Sequence, residues 1–124
     1  MDIAIVGATG NVGRKTLEVL QQKNLNIDNL YLVASPNSAG KQLEFNGKKY
    51  SIENLETYDF SKAKITFFAA GGKISEQYAE KAAKHTTVID NSSYFRMDPD
   101  VPLIVPQVNA KDIQNMKKNI IANP

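Results

Sequence analysis

The sequence predicts a doubly wound α/β domain on a mostly parallel sheet, with a β-hairpin inserted in it. Three observations carry that expectation. Short apolar, β-branched stretches recur along the chain and are apolar on both faces, as strands covered on two sides must be. Segments with helical spacing alternate with them. Glycine, proline or asparagine closes most of the strands.

The elements follow in order. "DIAIV" (Asp2–Val6) is a buried strand that stops at Gly7. From Asn11 to Lys23, Val12, Thr16, Val19 and Leu20 mark one helical face, with Leu17 beside it. "NLYLVAS" (Asn29–Ser35) is a second strand, ended by Pro36. "KQLEFNGKKYSI" (Lys41–Ile52) alternates about Asn46-Gly47, a pair suited to the two positive φ angles of a type I′ hairpin turn. "KITFFAA" (Lys64–Ala70) is a strand stopped by Gly71-Gly72. A helix from Lys73 to Lys84 carries Ile74, Tyr78 and Ala82 on one face and a Glu80→Lys84 pair. "TTVID" (Thr86–Asp90) and "LIV" (Leu103–Val105) are further strands. Asn109 and Asp112 open a helix bearing Ile113 and Met116, and "NIIA" (Asn119–Ala122) is the last strand. Right-handed crossovers then bring Gly7, Ser35, Gly71, Gly72, Asn91 and Pro124 to the sheet's carboxyl edge.

Composition narrows the function. The 124 residues allow one domain, with 42% hydrophobic and 23% charged residues and a net charge of +2. Acids and bases are interspersed, so no basic stripe offers a nucleic-acid surface. No apolar run reaches the roughly 18 residues of a membrane span. The opening "MDIAIVGATG" does not read as a secretion signal, so a cytoplasmic setting is expected and the Asn91-Ser92-Ser93 sequon is read as chance. There is no cysteine, which removes disulfides, thiolate metal sites and a cysteine nucleophile from these residues. His85 reads as a helix-end or surface residue, and Asp98 and Asp100 read as solvated turn formers rather than metal ligands.

"GATGNVG" joins the first strand to the first helix. Gly7, Gly10 and Gly13 leave room for a pyrophosphate to approach the backbone, where the helix N-terminus presents free N–H groups. A bare strand–helix turn is the alternative. The position of the motif between strand and helix favours a dinucleotide phosphate site. The second strand bears on which dinucleotide. A site for NAD usually has a carboxylate there for the ribose 2′-hydroxyl. This strand ends "ASPNSAGK", offering Ser35, Asn37 and Ser38 with Lys41 nearby and no carboxylate. These groups would accept a 2′-phosphate that a carboxylate would repel, which favours NADP. A plain Ser/Asn turn with a solvated Lys41 is the other reading.

With these residues in view, the chain resembles the N-terminal part of the aspartate-β-semialdehyde dehydrogenases. The pieces that carry the resemblance are "VGATGNVG", "ASPNSAGK", "FFAAGG", "VIDNSSYFRMDPDVPLIVPQVN" and "IIANP", in that order across the whole chain. The acyl-phosphate reductase of arginine biosynthesis, acting on N-acetyl-glutamyl phosphate, shares the glycine loop with less likeness in the Asn91 segment. A non-catalytic nucleotide-binding module is a further alternative.

The resemblance implies a Rossmann-like NADP-binding domain over residues 1–124, with a second domain, catalytic and dimer-forming, lying outside them. It implies an enzyme that interconverts aspartyl phosphate and NADPH with aspartate semialdehyde, phosphate and NADP through a cysteine thioester, in lysine, methionine and threonine synthesis. Its partners would be the cofactor and a phosphate-bearing substrate, and the whole protein a homodimer. Gly7, Thr9, Gly10, Asn11, Val12 and Gly13 would cradle the pyrophosphate. Ser35, Asn37 and Ser38 would meet the adenosine ribose and its 2′-phosphate. Gly71 and Gly72 would pass beneath the cofactor's middle, and Asn91 would lie by the nicotinamide half.

By the same resemblance Arg96 would bind phosphate, with the bidentate geometry a guanidinium offers. On residue type alone Arg96 could equally pair with Asp98 or Asp100 on the surface. Ala69, Tyr94 and Gln107 depart from common family choices. The family's reactive cysteine follows "ANPN", so the chain has no catalytic residue of its own and is expected to be inactive by itself. It is also expected to show an uncovered apolar patch where the family's later residues pack.

Overall fold

A computed structural model of the chain describes residues 1–23, 25–95, 98, 101 and 119–122. Among them seven strands form one sheet. These are β1 (Asp2–Val6), β2 (Asn29–Ala34), β3 (Gln42–Phe45), β4 (Lys48–Asn54), β5 (Ile65–Phe68), β6 (Thr87–Asp90) and β7 (Ile120–Ala122). Their order across the sheet is β3-β4-β2-β1-β5-β6-β7. All pairings are parallel except β3 with β4. The predicted doubly wound, mostly parallel α/β class is therefore the observed one.

Alternation along β1 divides the core in two. Ile3 and Ile5 face the helix α1 (Asn11–Gln22) and pack with Leu17, Leu20, Leu30 and Leu32. Ala4 and Val6 face the helix α2 (Gly72–Ala83) and pack with Val33, Phe68, Ala79, Ala82 and Val88. The sheet thus separates two apolar clusters, one under each helix. Parallel register aligns the strand ends: Val6 lies opposite Val33 and Phe68, Phe68 opposite Asp90, and Asp90 opposite Ala122. The loops that leave these residues share one edge.

One expectation changes, at the first helix. The buried face of α1 is Gly13, Leu17 and Leu20, whereas Val12 is 50% and Val19 39% exposed. Gly13 has no side chain and seats directly on the Gly7–Ala8 turn, which rotates Val12 and Val19 outward. On α2 the expected face packs on the sheet: Ala82 is buried, Ile74 and Tyr78 are half-buried against the same cluster, and Ser75 and Ala79 are buried beside them. Small residues let that helix lie close to the sheet.

The expected hairpin is present and joins the main sheet. Its turn has the two positive φ angles, at Asn46 (51°) and Gly47 (78°), and β4 pairs in parallel with β2. No α-helix joins β4 to β5. Leu55, Tyr58 and Phe60, the last in a 3₁₀ turn Phe60–Lys62, cover the sheet there by side chains alone. Arg96, the strand expected at Leu103–Val105 and the helix expected from Asn109 lie outside the described residues. No described helix is long and apolar enough to cross a membrane.

Candidate functional site

The carboxyl edge of the sheet carries a cleft of about 340 Å³, within the size range of small-molecule sites. Its floor is made by the strand ends and their first loop residues, Val6, Ala34, Ala69 and Ala70. Gly7, Thr9 and Gly10 form one wall; Ser35 and Leu55 form another, and Ile74 of α2 closes the side.

The glycine wall is built from backbone. Gly7 takes φ +86°, and its N–H donates to the Val33 carbonyl at 2.8 Å. A Cβ on Gly7 would stand 2.8 Å from the Ala69 carbonyl and from the Ala70 side chain. Any side chain there would fill the space between the two loops. Gly10 N–H donates to Gly7 O at 3.1 Å, and Arg14 N–H donates to Gly10 O at 2.9 Å to begin α1. The amides of Asn11, Val12 and Gly13 precede that first helical bond. No side chain caps this end and no acid sits in its first turn. Free N–H groups and a positive helix end together favour an anion.

The second helix repeats the pattern. Gly71, the residue before α2, takes φ +90°, has no side-chain cap, and is followed by a first turn without acids. Nothing lies within 4 Å of where a Cβ on Gly71 or Gly72 would be, so backbone is open to approach there.

The expected site residues fall into groups. Gly7, Thr9, Gly10 and Ser35 line the cleft. Asn11, Val12 and Asn91 instead line a second hollow of about 660 Å³ on the α1 side, with Lys15, Thr16, Val19, Leu20 and Phe67. Gly13 lies beneath the loop. Asn37 and Ser38 sit in the Ser35–Gly40 turn, where Ser38 N–H donates to Ser35 O at 2.9 Å, and neither lines the cleft. Gly71 and Gly72 stand at the start of α2, beyond Ala69 and Ala70. Residue-type reasoning passed over Leu55, Ala70 and Ile74, whose apolar side chains carry no chemical flag. It also passed over Asp90, a carboxylate that ends an apolar strand and is wholly buried.

Comparison with known proteins identifies the family. The family model described as semialdehyde dehydrogenase, NAD binding domain, matches residues 2–116. The chain is 52% identical to the aspartate-semialdehyde dehydrogenase of Aquifex aeolicus, over 98% of this chain and 37% of that protein. It is 48% identical to aspartate-semialdehyde dehydrogenase 2 of Vibrio cholerae, over 99% of this chain and 37% of that protein. A crystal structure of the Vibrio cholerae aspartate semialdehyde dehydrogenase II superimposes with a TM-score of 0.93 at 47% identity, covering 99% of this chain and 41% of that one. The chain thus spans little more than a third of the length of these curated relatives. A glycine-walled cleft on the carboxyl edge of a parallel sheet, and a match along nearly the whole chain, together mean that it belongs to the semialdehyde dehydrogenases, as the NAD-binding domain of that family.

Proposed function

We propose that this chain is the NADP-holding part of an aspartate-semialdehyde dehydrogenase, which interconverts aspartyl phosphate and the semialdehyde. The observation that carries the reading is the cleft itself: at Gly7 in its wall a Cβ would collide with the Ala69–Ala70 loop, and it adjoins a helix end with no cap and no acid. These features fit a bound diphosphate. The substrate is taken from the relatives, which are aspartate-semialdehyde dehydrogenases.

In this reading the amides of the loop Gly7, Thr9, Gly10, Asn11, Val12 and Gly13 hold the pyrophosphate. Ser35, with Asn37 and Ser38 in the following turn, takes the adenosine ribose. No carboxylate occurs between Ala34 and Lys41, so a 2′-phosphate meets hydroxyl and amide groups rather than a like charge, which supports NADP over NAD. Gly71 and Gly72 leave backbone open under the middle of the coenzyme, and Asn91 stands toward its nicotinamide end.

When bound, the nicotinamide supplies or accepts a hydride. Arg96, directly after the buried Phe95 in sequence, takes the substrate phosphate. These 124 residues contain no cysteine, so thioester chemistry needs a thiolate from elsewhere in the protein, and the chain alone binds without turnover. The whole protein is proposed to be a cytoplasmic homodimer with a second, catalytic domain.

A calorimetric titration of the chain with NADP, NAD and 2′-phosphoadenosine tests the reading. NADP binding more tightly than NAD is the expected result. Equal or tighter binding of NAD overturns the NADP assignment, and no binding by any of the three overturns the cofactor role.

A further inference from the structure

Asp90 ends β6 with its side chain wholly buried. Burying a carboxylate is unfavourable unless its oxygens are satisfied, and no described cation forms an ion pair with it. Instead it accepts three hydrogen bonds from two directions. Ser75 Oγ donates to Oδ1 at 2.7 Å, from the first turn of α2. Ser92 N–H donates to the same oxygen at 3.0 Å and Ser92 Oγ to Oδ2 at 2.8 Å, from the loop beyond β6. Ser92 Oγ in turn accepts from Tyr94 N–H at 3.2 Å.

Both elements tied in this way border the proposed coenzyme path. Ser75 N–H donates to Gly71 O at 3.2 Å, so the Asp90 carboxylate is one residue removed from the Gly71-Gly72 backbone. On the other side Asn91 lies between Asp90 and Ser92, with its own N–H fixed on Phe68 O at 3.0 Å. A local turn would need only the Ser92 bonds. The Ser75 bond adds a link between two separate elements, the loop after β6 and the first turn of α2.

We propose that Asp90 is a positioning residue that sets the spacing between the Gly71-Gly72 backbone and Asn91, and so aligns the nicotinamide half of the bound coenzyme. It touches neither coenzyme nor substrate. The proposal rests on the NADP reading above and adds to it a division of labour. The glycine cleft and Ser35 hold the adenosine-diphosphate half, and the Asp90 link serves the other half.

The test compares two probes on the 124-residue chain: NADP, and 2′-phospho-ADP-ribose, which lacks the nicotinamide. Ser75→Ala removes the link to α2 while leaving the Ser92 turn intact, and Asp90→Ala removes both. Ser75→Ala is expected to weaken NADP about fivefold, the worth of one typical hydrogen bond, Asp90→Ala by at least as much, and both to leave 2′-phospho-ADP-ribose within about twofold. Asp90→Asn keeps the Oδ1 acceptor and is expected to restore most of the NADP affinity.

Equal weakening of both probes, or no change in either, overturns the proposal and leaves the NADP reading standing. Failure of the unaltered chain to bind either probe overturns the NADP reading, and this proposal with it. Should Asp90→Ala not fold, Ser75→Ala and Asp90→Asn decide the question, with far-ultraviolet circular dichroism confirming their fold.

Discussion

A Cβ on Gly13 would stand 2.1 Å from the carbonyl oxygen of Gly7. The helix and the turn before it are therefore in backbone contact, and no rotamer change can relieve an added methyl group. Gly13→Ala is expected to destabilise the fold by about 1–3 kcal/mol, the usual cost of overpacking. Gly7→Ala combines a similar crowding with a φ of +86° and should cost at least as much. Urea denaturation midpoints check both. Unchanged midpoints would mean that the loop and α1 do not touch.

The orientation of α1 can be measured. Leu17 is buried and Val12 and Val19 are exposed. Leu17→Ala should cost about 2–5 kcal/mol. Val12→Ser and Val19→Ser should each stay within about 0.5 kcal/mol. The reverse ranking in denaturation experiments would restore the face read from hydrophobic spacing alone.

Tyr58 gives a pH dependence with a definite sign. Burial, and behind it the Glu53 carboxylate, hold its phenol well above the ordinary value. The folded state therefore favours the protonated phenol. That contribution is complete below the unfolded value of roughly 10 and is lost as pH rises through and beyond it. The same hydroxyl is buried without a hydrogen-bond partner. Tyr58→Phe is thus expected to be neutral or stabilising by up to about 1 kcal/mol at pH 7. It should also flatten the alkaline fall in stability. A clear loss of stability at pH 7 in thermal unfolding would contradict this account.

Ser35 tests the discrimination between dinucleotides. Its side chain is at the cleft wall on the end of β2. Ser35→Asp should repel a 2′-phosphate and accept a ribose 2′-hydroxyl. The expected outcome is an NADP affinity reduced by about tenfold or more, with NAD unchanged or improved. Parallel titrations with the two coenzymes measure it. Equal effects on both would place the 2′-phosphate away from Ser35.

Much of this architecture was legible in the chain. Strand β1, the Gly7–Gly13 loop and the Asn46-Gly47 turn each have a local cause: a β-branched run, a steric need for glycine, and a pair of positive φ angles. What was not legible depends on distant partners. The rotation of α1 is decided by Gly13 meeting the turn backbone, a term that apolar spacing does not contain. The pairing of β4 with β2 is a tertiary choice that a hairpin pattern cannot express. At the site, Gly7, Thr9, Gly10 and Ser35 were legible because each is polar or conformationally special. Leu55, Ala70 and Ile74 look like any core residue, and Asp90 becomes informative only once Ser75 is seen beside it.

The hairpin at the end of the sheet also bears on how the chain finds its fold. Phe45 and Lys48 face one another across a two-residue turn, so this pairing closes almost no loop. Each parallel pairing joins residues far apart in sequence, such as Val6 with Val33 or Val88 with Ile120. Those contacts must first meet the entropy of a long loop closure. The hairpin is consequently the strand pairing with the least loop entropy to overcome, and because β4 also pairs with β2, an early hairpin presents a ready template on which the remaining sheet can assemble.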